Sequence, residues 1–438
     1  CHIGAIGRHP LQCRHMHQSR GTSVREAIWR TYPVHAADPV VHAASRLHDG
    51  YMAPHILYGV PHSLYTGKSR AYLRKQGFTY VERTPADPRF RAEIVPRIGR
   101  GIIPVLVTPD GEVIQDTVDI LDHFEDRGVP VSSRPPGGRQ RVLAHAAELY
   151  AVVTLTRHAM HYRWSYLDEQ RTFLTDAFTG GSGTDGAAKV MARMQSYLPM
   201  LGVTRDTIPA IEASYLTLLD LLEAHLCRHP YLFGGQPSLG DYGLLGPLFA
   251  HLGRDPVPAD LMRRRAPKVA RWVERMNAPD ADLPEYGEYP TCYLGGDELP
   301  ETLVPLFRHM ADELLPELAD KTAWLCRFVA DTDPEEGAPV TDKPHQRVLG
   351  SVDTMFGGVP FASGVQPYLF FLWQRVTDVF AALGDEQQHA VSAWLDGVGL
   401  LPLLDLPQPV RVERSGHVER WGARLPTSPG LRTGYAPA

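Results

Sequence analysis

Cysteine is scarce in this chain: five residues in 438, at Cys1, Cys13, Cys227, Cys292 and Cys326. The number is odd and no two stand in a CxxC pair, which argues against a disulfide framework and a structural zinc site. A reducing, cytoplasmic compartment is expected. Long apolar runs are also missing. None reaches the roughly 18 residues that a membrane-spanning helix needs, so no membrane partner is expected. There is no basic block either. Lysine and arginine total 44 against 50 acidic residues, a formal charge of −6, and nucleic acid is not favoured as a partner. No internal repeat is found. What is present is ordinary for a globular protein: 43% apolar and 21% charged residues, enough for a sizeable core in two or three domains.

The first 55 residues hold eight of the 20 histidines. Cys1, His2, His9, Cys13, His15 and His17 can be read as metal ligands. The stretch is taken instead as an irregular leader, residues 1–53, without the apolar core of a secretory signal. No metal is expected.

Periodicity organises the rest. His55 to Gly59 reads as a short buried strand, and Pro61 breaks it. Leu64 to Gln76 reads as a helix with Gly77 at the left-handed C′ position. Phe78 to Arg83 is a second strand. Pro85, Pro88 and Pro96 leave room for only a short helix, near Pro88 to Ile94. Pro104 to Thr108 and Glu112 to Gln115 form a hairpin around Pro109-Asp110-Gly111. A helix then starts at Asp116 or Thr117, buries Ile120, Leu121 and Phe124, and ends at Gly128. The order β-α-β-α-β-β-α over residues 54–128 predicts a thioredoxin-like domain.

The proline- and glycine-rich stretch from Gly128 to Gly138 marks a boundary. An all-helical domain is expected over 139–280. Gln140 to Trp164 reads as one long helical segment, and Gly180 to Gly183 as a flexible loop tip. Ile211 to His229 places Tyr215, Leu218, Leu219 and Leu222 on one buried face. Ser238 and Asp241 form a capping box, and Trp272 lies on a later helix. Residues 281–438 form a mainly helical extension of unknown role. Its clearest elements are helices from Thr302 to Ala330 and Val365 to Leu383, and a strand pair from Pro409 to Trp421 turning at Ser415-Gly416.

Three features bear on chemistry. In a thioredoxin-like frame the Ile103-Pro104 bond is expected to be cis, turning the Ile103 main chain toward a ligand; elsewhere it is a plain edge-strand start. Asp116 and Thr117 stand at a helix start, where unpaired N–H groups and the positive dipole end suit a carboxylate, and Asp116 suits an ammonium. Simple capping is the other reading. Ser63 and Tyr65 bring hydroxyls to the mouth of the sheet, where a donated hydrogen bond favours a thiolate. The alternative is an N-cap and a half-buried aromatic.

In this order the features resemble the glutathione transferase superfamily across residues 54–280. Ile103 to Leu106 match its aliphatic-Pro-aliphatic-Leu strand, Asp116-Thr117 stand at its Glu-Ser pair, and Ser238 and Asp241 match its buried capping box. The resemblance implies a cytoplasmic, detoxifying enzyme with glutathione as co-substrate, commonly a homodimer. It places the γ-glutamyl end at Asp116 and Thr117, the cysteinyl backbone at Ile103 and Pro104, and the glycyl carboxylate near Arg100 or Arg97. The sulfur would lie beside Ser63, as in serine-type members, or Tyr65. Leu64 departs from the proline that often follows this serine. Without cysteine at position 63, thiol–disulfide chemistry is disfavoured. The thiolate would attack an electrophilic small molecule held by His158, His161, Tyr162 and Trp164; satisfied polar residues at a domain seam are the other reading of that helix. A non-catalytic binding or scaffold protein is the rival, because the family ends before the extension. A glutathione-dependent isomerase or dehalogenase would differ only in the acceptor pocket.

Overall fold

The first strand carries Leu57 and Tyr58 on opposite faces, and this alternation builds the N-terminal layer. In a computed structural model, which describes residues 53–343 and 345–426, β1 (His55–Tyr58) pairs in parallel with β2 (Tyr80–Arg83) and antiparallel with β3 (Val105–Val107). β4 (Val113–Gln115) closes a four-stranded sheet of order β2-β1-β3-β4. Leu57, Leu106 and Ile114 lie in one register line and pack into the main core with the helices. Tyr58, Val105 and Val113 face the other way, against Phe90, Ile94 and Ile98. The histidine-rich stretch from Cys1 to His17 lies outside the described residues.

Helix α1 (Leu64–Lys75) starts where Ser63 accepts the Thr66 N–H at 3.3 Å. Gly77, at φ 72°, follows its end. The proline-punctuated stretch forms a π turn at Phe90–Ile94 and the short α2 (Val95–Ile98). Helix α3 (Thr117–Glu125) is capped by Asp116, whose carboxylate accepts the Val118 N–H at 2.9 Å.

The segment expected as one helix is continuous but carries a bulge. It comprises α4 (Gly138–Tyr150), a π turn at Ala151–Leu155 and α5 (Thr156–Trp164). The stretch expected as a flexible tip differs. Gly180 and Gly181 belong to the last turn of α6 (Leu167–Ser182), and Gly183 alone makes the turn into α7 (Thr184–Gln195). The reason is packing: a Cβ on Gly181 would stand 2.8 Å from Val60, so that turn lies against the loop after β1. Next come α8 (Ile208–Leu226), α9 (Leu239–Ala250), α10 (Pro256–Arg265) and α11 (Pro267–Asn277). The Ser238–Asp241 capping box opens α9, with burial pushing the Asp241 carboxyl up to about 6 despite its hydrogen bonds to Ser238 and Leu232.

The extension holds the 30-residue α12 (Leu303–Thr332), hairpin β5 (Gly350–Phe356) and β6 (Val359–Val365), α13 (Pro367–Ala381), α14 (Asp385–Gly397), the single turn α15 (Pro402–Asp405), and hairpin β7 (Val410–Ser415) and β8 (Val418–Arg424). α12 packs on α4 and α8, and α13 packs on α4 and β7. One apolar cluster runs from Leu57 through Leu143, Leu314 and Trp373 to Trp421. The described residues from Ala53 onward form a single compact unit. Among the described residues no helix is long and apolar enough to cross a membrane, and no group of His, Cys, Asp or Glu is arranged to hold a metal ion.

Candidate functional site

The sheet register assembles the site. Tyr58 pairs with Val105 and Val105 with Gln115, so three strand ends meet at one edge of the sheet. The turn to Ser63, the Ile103-Pro104 bond and the start of α3 all leave from that edge. The Ile103-Pro104 bond is cis, and Asp116 takes φ 94°, a left-handed value that side chains rarely adopt. The Asp116 N–H reaches the Pro104 carbonyl at 3.4 Å.

The helical layer fixes the Ser63 turn from behind. Arg163 of α5 is buried and forms two bonds to Asp255, at 2.6 and 2.8 Å. It also donates to the His62 carbonyl at 2.8 Å and the Ala250 carbonyl at 2.7 Å. A fork of fixed donors suits this clamp. The His62 ring lies 4.4 Å from that of Phe178, and burial, reinforced by Arg163, lowers its pKa to about 3. It is therefore neutral at physiological pH. In front, Lys68 of α1 and Glu148 of α4 form a buried ion pair across the seam between the two layers.

Ser63 is half-buried; its hydroxyl accepts the cap bond and retains a proton to donate. Tyr65 is also half-buried. Burial and the nearby Asp116 charge push its phenol upward, so it keeps its proton at neutral pH. Leu64, Tyr65, Thr117 and Tyr368 line a cavity of about 20 Å³. That is room for about one water molecule, where drug-sized ligand pockets run to roughly 300–1,000 Å³.

Side chains of the extension reach the strand ends as well. The Tyr368 hydroxyl donates to the Asp116 carboxylate at 2.7 Å. Arg414 of β7 reaches the Gln115 carbonyl at 3.3 Å, the Gln115 side chain at 3.1 Å and Asp119 at 3.1 Å. Arg100 donates to the Gln115 side chain at 2.9 Å and the His417 carbonyl at 2.7 Å, with Glu419 at 3.7 Å. Arg97 donates to the Gly111 carbonyl.

The four residues expected at the acceptor site go elsewhere. His158 bonds Ser214 at 2.7 Å and the Thr154 carbonyl, and it stands edge-on to Phe356. His161 bonds Ser165 and Glu212. Tyr162 stacks on Tyr166, and Trp164 packs on Phe178. None of the four lines the cavity at Tyr65; from this segment Ala151, Val152 and Thr156 do. Ala151 and Val152 belong to the π turn and Thr156 opens α5, so the cavity meets this segment about one to three turns before His158 to Trp164. Tyr368 and Arg414 were not foreseen at all, since their partners lie 252 and 295 or more positions away in the chain. A separate hollow of about 410 Å³, lined by Phe249, Met262 and Val273, shares no residue with the cavity at Tyr65.

Two family descriptions match the sequence: glutathione S-transferase, N-terminal domain, over residues 57–130, and glutathione S-transferase, C-terminal domain, over residues 205–275. Similar solved structures include a glutathione transferase from Phanerochaete chrysosporium, 18% identical, covering 52% of this chain and 98% of its own, with a TM-score of 0.36. Another is the beta-etherase LigF from Sphingobium sp. strain SYK-6, 17% identical, covering 53% and 97%, with a TM-score of 0.38. A glutathione S-transferase from Xanthobacter autotrophicus is 25% identical over 53% and 94%, at 0.29. No curated protein matches the chain.

Proposed function

Since the chain belongs to the glutathione S-transferase superfamily, we propose that it binds glutathione in the groove at the sheet edge and activates the thiol for attack on an electrophilic small molecule. The observation that carries this reading is the meeting of the Ser63 turn, the cis Ile103-Pro104 bond and the Asp116 helix start at one edge. Asp116 is the acceptor for the γ-glutamyl ammonium, the Ile103 main chain pairs with the cysteinyl residue, and Thr117 and Arg100 complete the contacts. The Ser63 O–H donates to the sulfur and favours the thiolate, which then forms the bond to the electrophile as the leaving group departs. A cytoplasmic, detoxifying role and a homodimer go with this reading.

Replacing Ser63 with Ala tests it. The variant is expected to lose about ten-fold in conjugation rate toward an activated aryl chloride, equivalent to roughly one unit in thiol pKa, with little change in glutathione affinity. It also loses a helix cap, at about 1 kcal/mol of stability. Unchanged kinetics would shift the role to Tyr65 or remove it. The Tyr368 hydroxyl on Asp116 favours a second reading, a non-catalytic scaffold, and absence of glutathione binding at millimolar concentration by calorimetry would decide for it.

A further inference from the structure

Asp116, one of the two residues that the glutathione reading assigns to the γ-glutamyl end, is engaged by the chain itself, and so is the strand end beside it. Asp116, the acceptor for an ammonium, already accepts the Tyr368 hydroxyl at 2.7 Å. The strand end beside it, Gln115, is held by Arg414 and Arg100 through its carbonyl and side-chain oxygens. The β7–β8 turn lies on Arg100 through the His417 carbonyl, and Glu419 of β8 faces both arginines. The Arg414 guanidinium sits 5.7 Å from the Tyr368 ring, so the two occupants form one unit. A hydroxyl thus stands where a ligand would place its ammonium, with a guanidinium on the strand end beside it.

We propose that Tyr368 and the β7–β8 hairpin are an intramolecular latch that closes the groove, and that glutathione must displace them to bind. The proposal rests on the glutathione reading given above and adds its regulation. The latch is tethered on both sides. Tyr368 rides on α13, which is packed on α4, and the hairpin is fastened to α13 where Gln374 accepts the Val412 N–H at 2.6 Å. A tethered competitor acts at an effective concentration on the order of millimolar, so a free tripeptide meets a constant opponent whatever its intrinsic affinity. The same side chains that shut the groove also satisfy its buried polar groups, which keeps the closed state free of unpaired charge.

Calorimetry on the full chain tests the latch. Wild type is expected to bind glutathione weakly, on the order of millimolar. Tyr368→Phe, which keeps the ring and removes the donor, and the double variant with Arg414→Gln should bind progressively tighter, the double variant by roughly ten-fold or more. Amide exchange gives a readout on wild type itself: saturating glutathione should speed exchange at Val412, whose N–H is bonded to Gln374 in the closed state. Equal affinities for wild type and both variants, or binding with no change at Val412, would overturn the latch and leave the glutathione reading standing. Variants that show native circular dichroism yet bind nothing would overturn both.

Discussion

Glu317 shows how far a single residue can depend on distant parts of the chain. It is buried on α12, accepts Lys321 at 2.7 Å and the Ser363 hydroxyl at 2.6 Å, and pairs with Arg157 of α5. The Arg157 guanidinium is in turn sandwiched between the rings of Phe356 and Phe361, each 4.7 Å away. Burial alone would raise the Glu317 carboxyl, but Arg157 and then Lys321 outweigh it and hold its pKa at about 2. A carboxyl with a folded pKa below its unfolded one stabilises the fold above the unfolded value, and that stability is lost as pH falls through the folded one. Thermal stability should therefore drop between pH 4.5 and about 2, and this part of the profile should flatten in Glu317→Gln. At neutral pH the same substitution leaves Arg157 and Lys321 buried without their counter-charge, and should cost about 3–5 kcal/mol in urea unfolding. A loss below about 1 kcal/mol would show that the pair is solvated rather than buried. Arg157 stands out in the sequence inside a cationic, aromatic run, but nothing local names a partner 160 positions on.

At the scale of elements, legibility followed locality. The Ser238–Asp241 box, the Gly77 and Gly128 helix ends and the hairpin around Gly111 were readable because each signal lies within a few residues of the structure it makes. The β5–β6 hairpin was missed although Gly357 and Gly358, at φ 55° and 78°, form a glycine pair suited to its turn. Its strands contain Gly350, Pro360 and Gly364, residue types that weaken a strand pattern, and what holds them is packing on α12, where a Cβ on Gly350 would meet Trp324 at 2.7 Å. α9 makes the same point in a form that can be measured. Its Gly243 lies where a Cβ would stand 2.8 Å from the Glu148 Cα, and its Gly246 where one would stand 3.2 Å from the Leu64 carbonyl oxygen. Glycine to alanine in a helix interior ordinarily gains about 1 kcal/mol. Here the neighbours are backbone of α4 and of the site turn and cannot swing aside, so Gly243→Ala should lose about 1–3 kcal/mol in chemical denaturation. A more stable variant would mean that α4 and α9 approach less closely than described.

The whole molecule is less modular than its sequence suggests. The family resemblance ends near residue 280, which invites the picture of a two-domain protein with an appendage. The packing says otherwise. α4 is covered along its length by α12, α13 and α14, and Tyr150 within the helical layer donates to Glu313 of the extension at 2.8 Å. Arg375 of α13 forms two bonds to Asp122 of α3, at 2.6 and 3.0 Å, so the extension grips the thioredoxin-like layer as well. Cutting the chain after residue 280 would strip apolar cover from Val142, Leu143 and Leu149, and would take from Arg157 both its Glu317 partner and the Phe356 and Phe361 rings that cover it. Each exposed large side chain costs about 1.5–3 kcal/mol, against a total stability of roughly 5–15 kcal/mol for a domain. Residues 53–280 expressed alone are therefore expected to be insoluble, or to bind a hydrophobic dye and melt without a cooperative transition. Adding residues 281–438 in trans should restore a sharp transition if the loss is one of cover alone. A soluble fragment that melts cooperatively by calorimetry would show that the two family domains carry their own stability and that the extension is merely laid upon them.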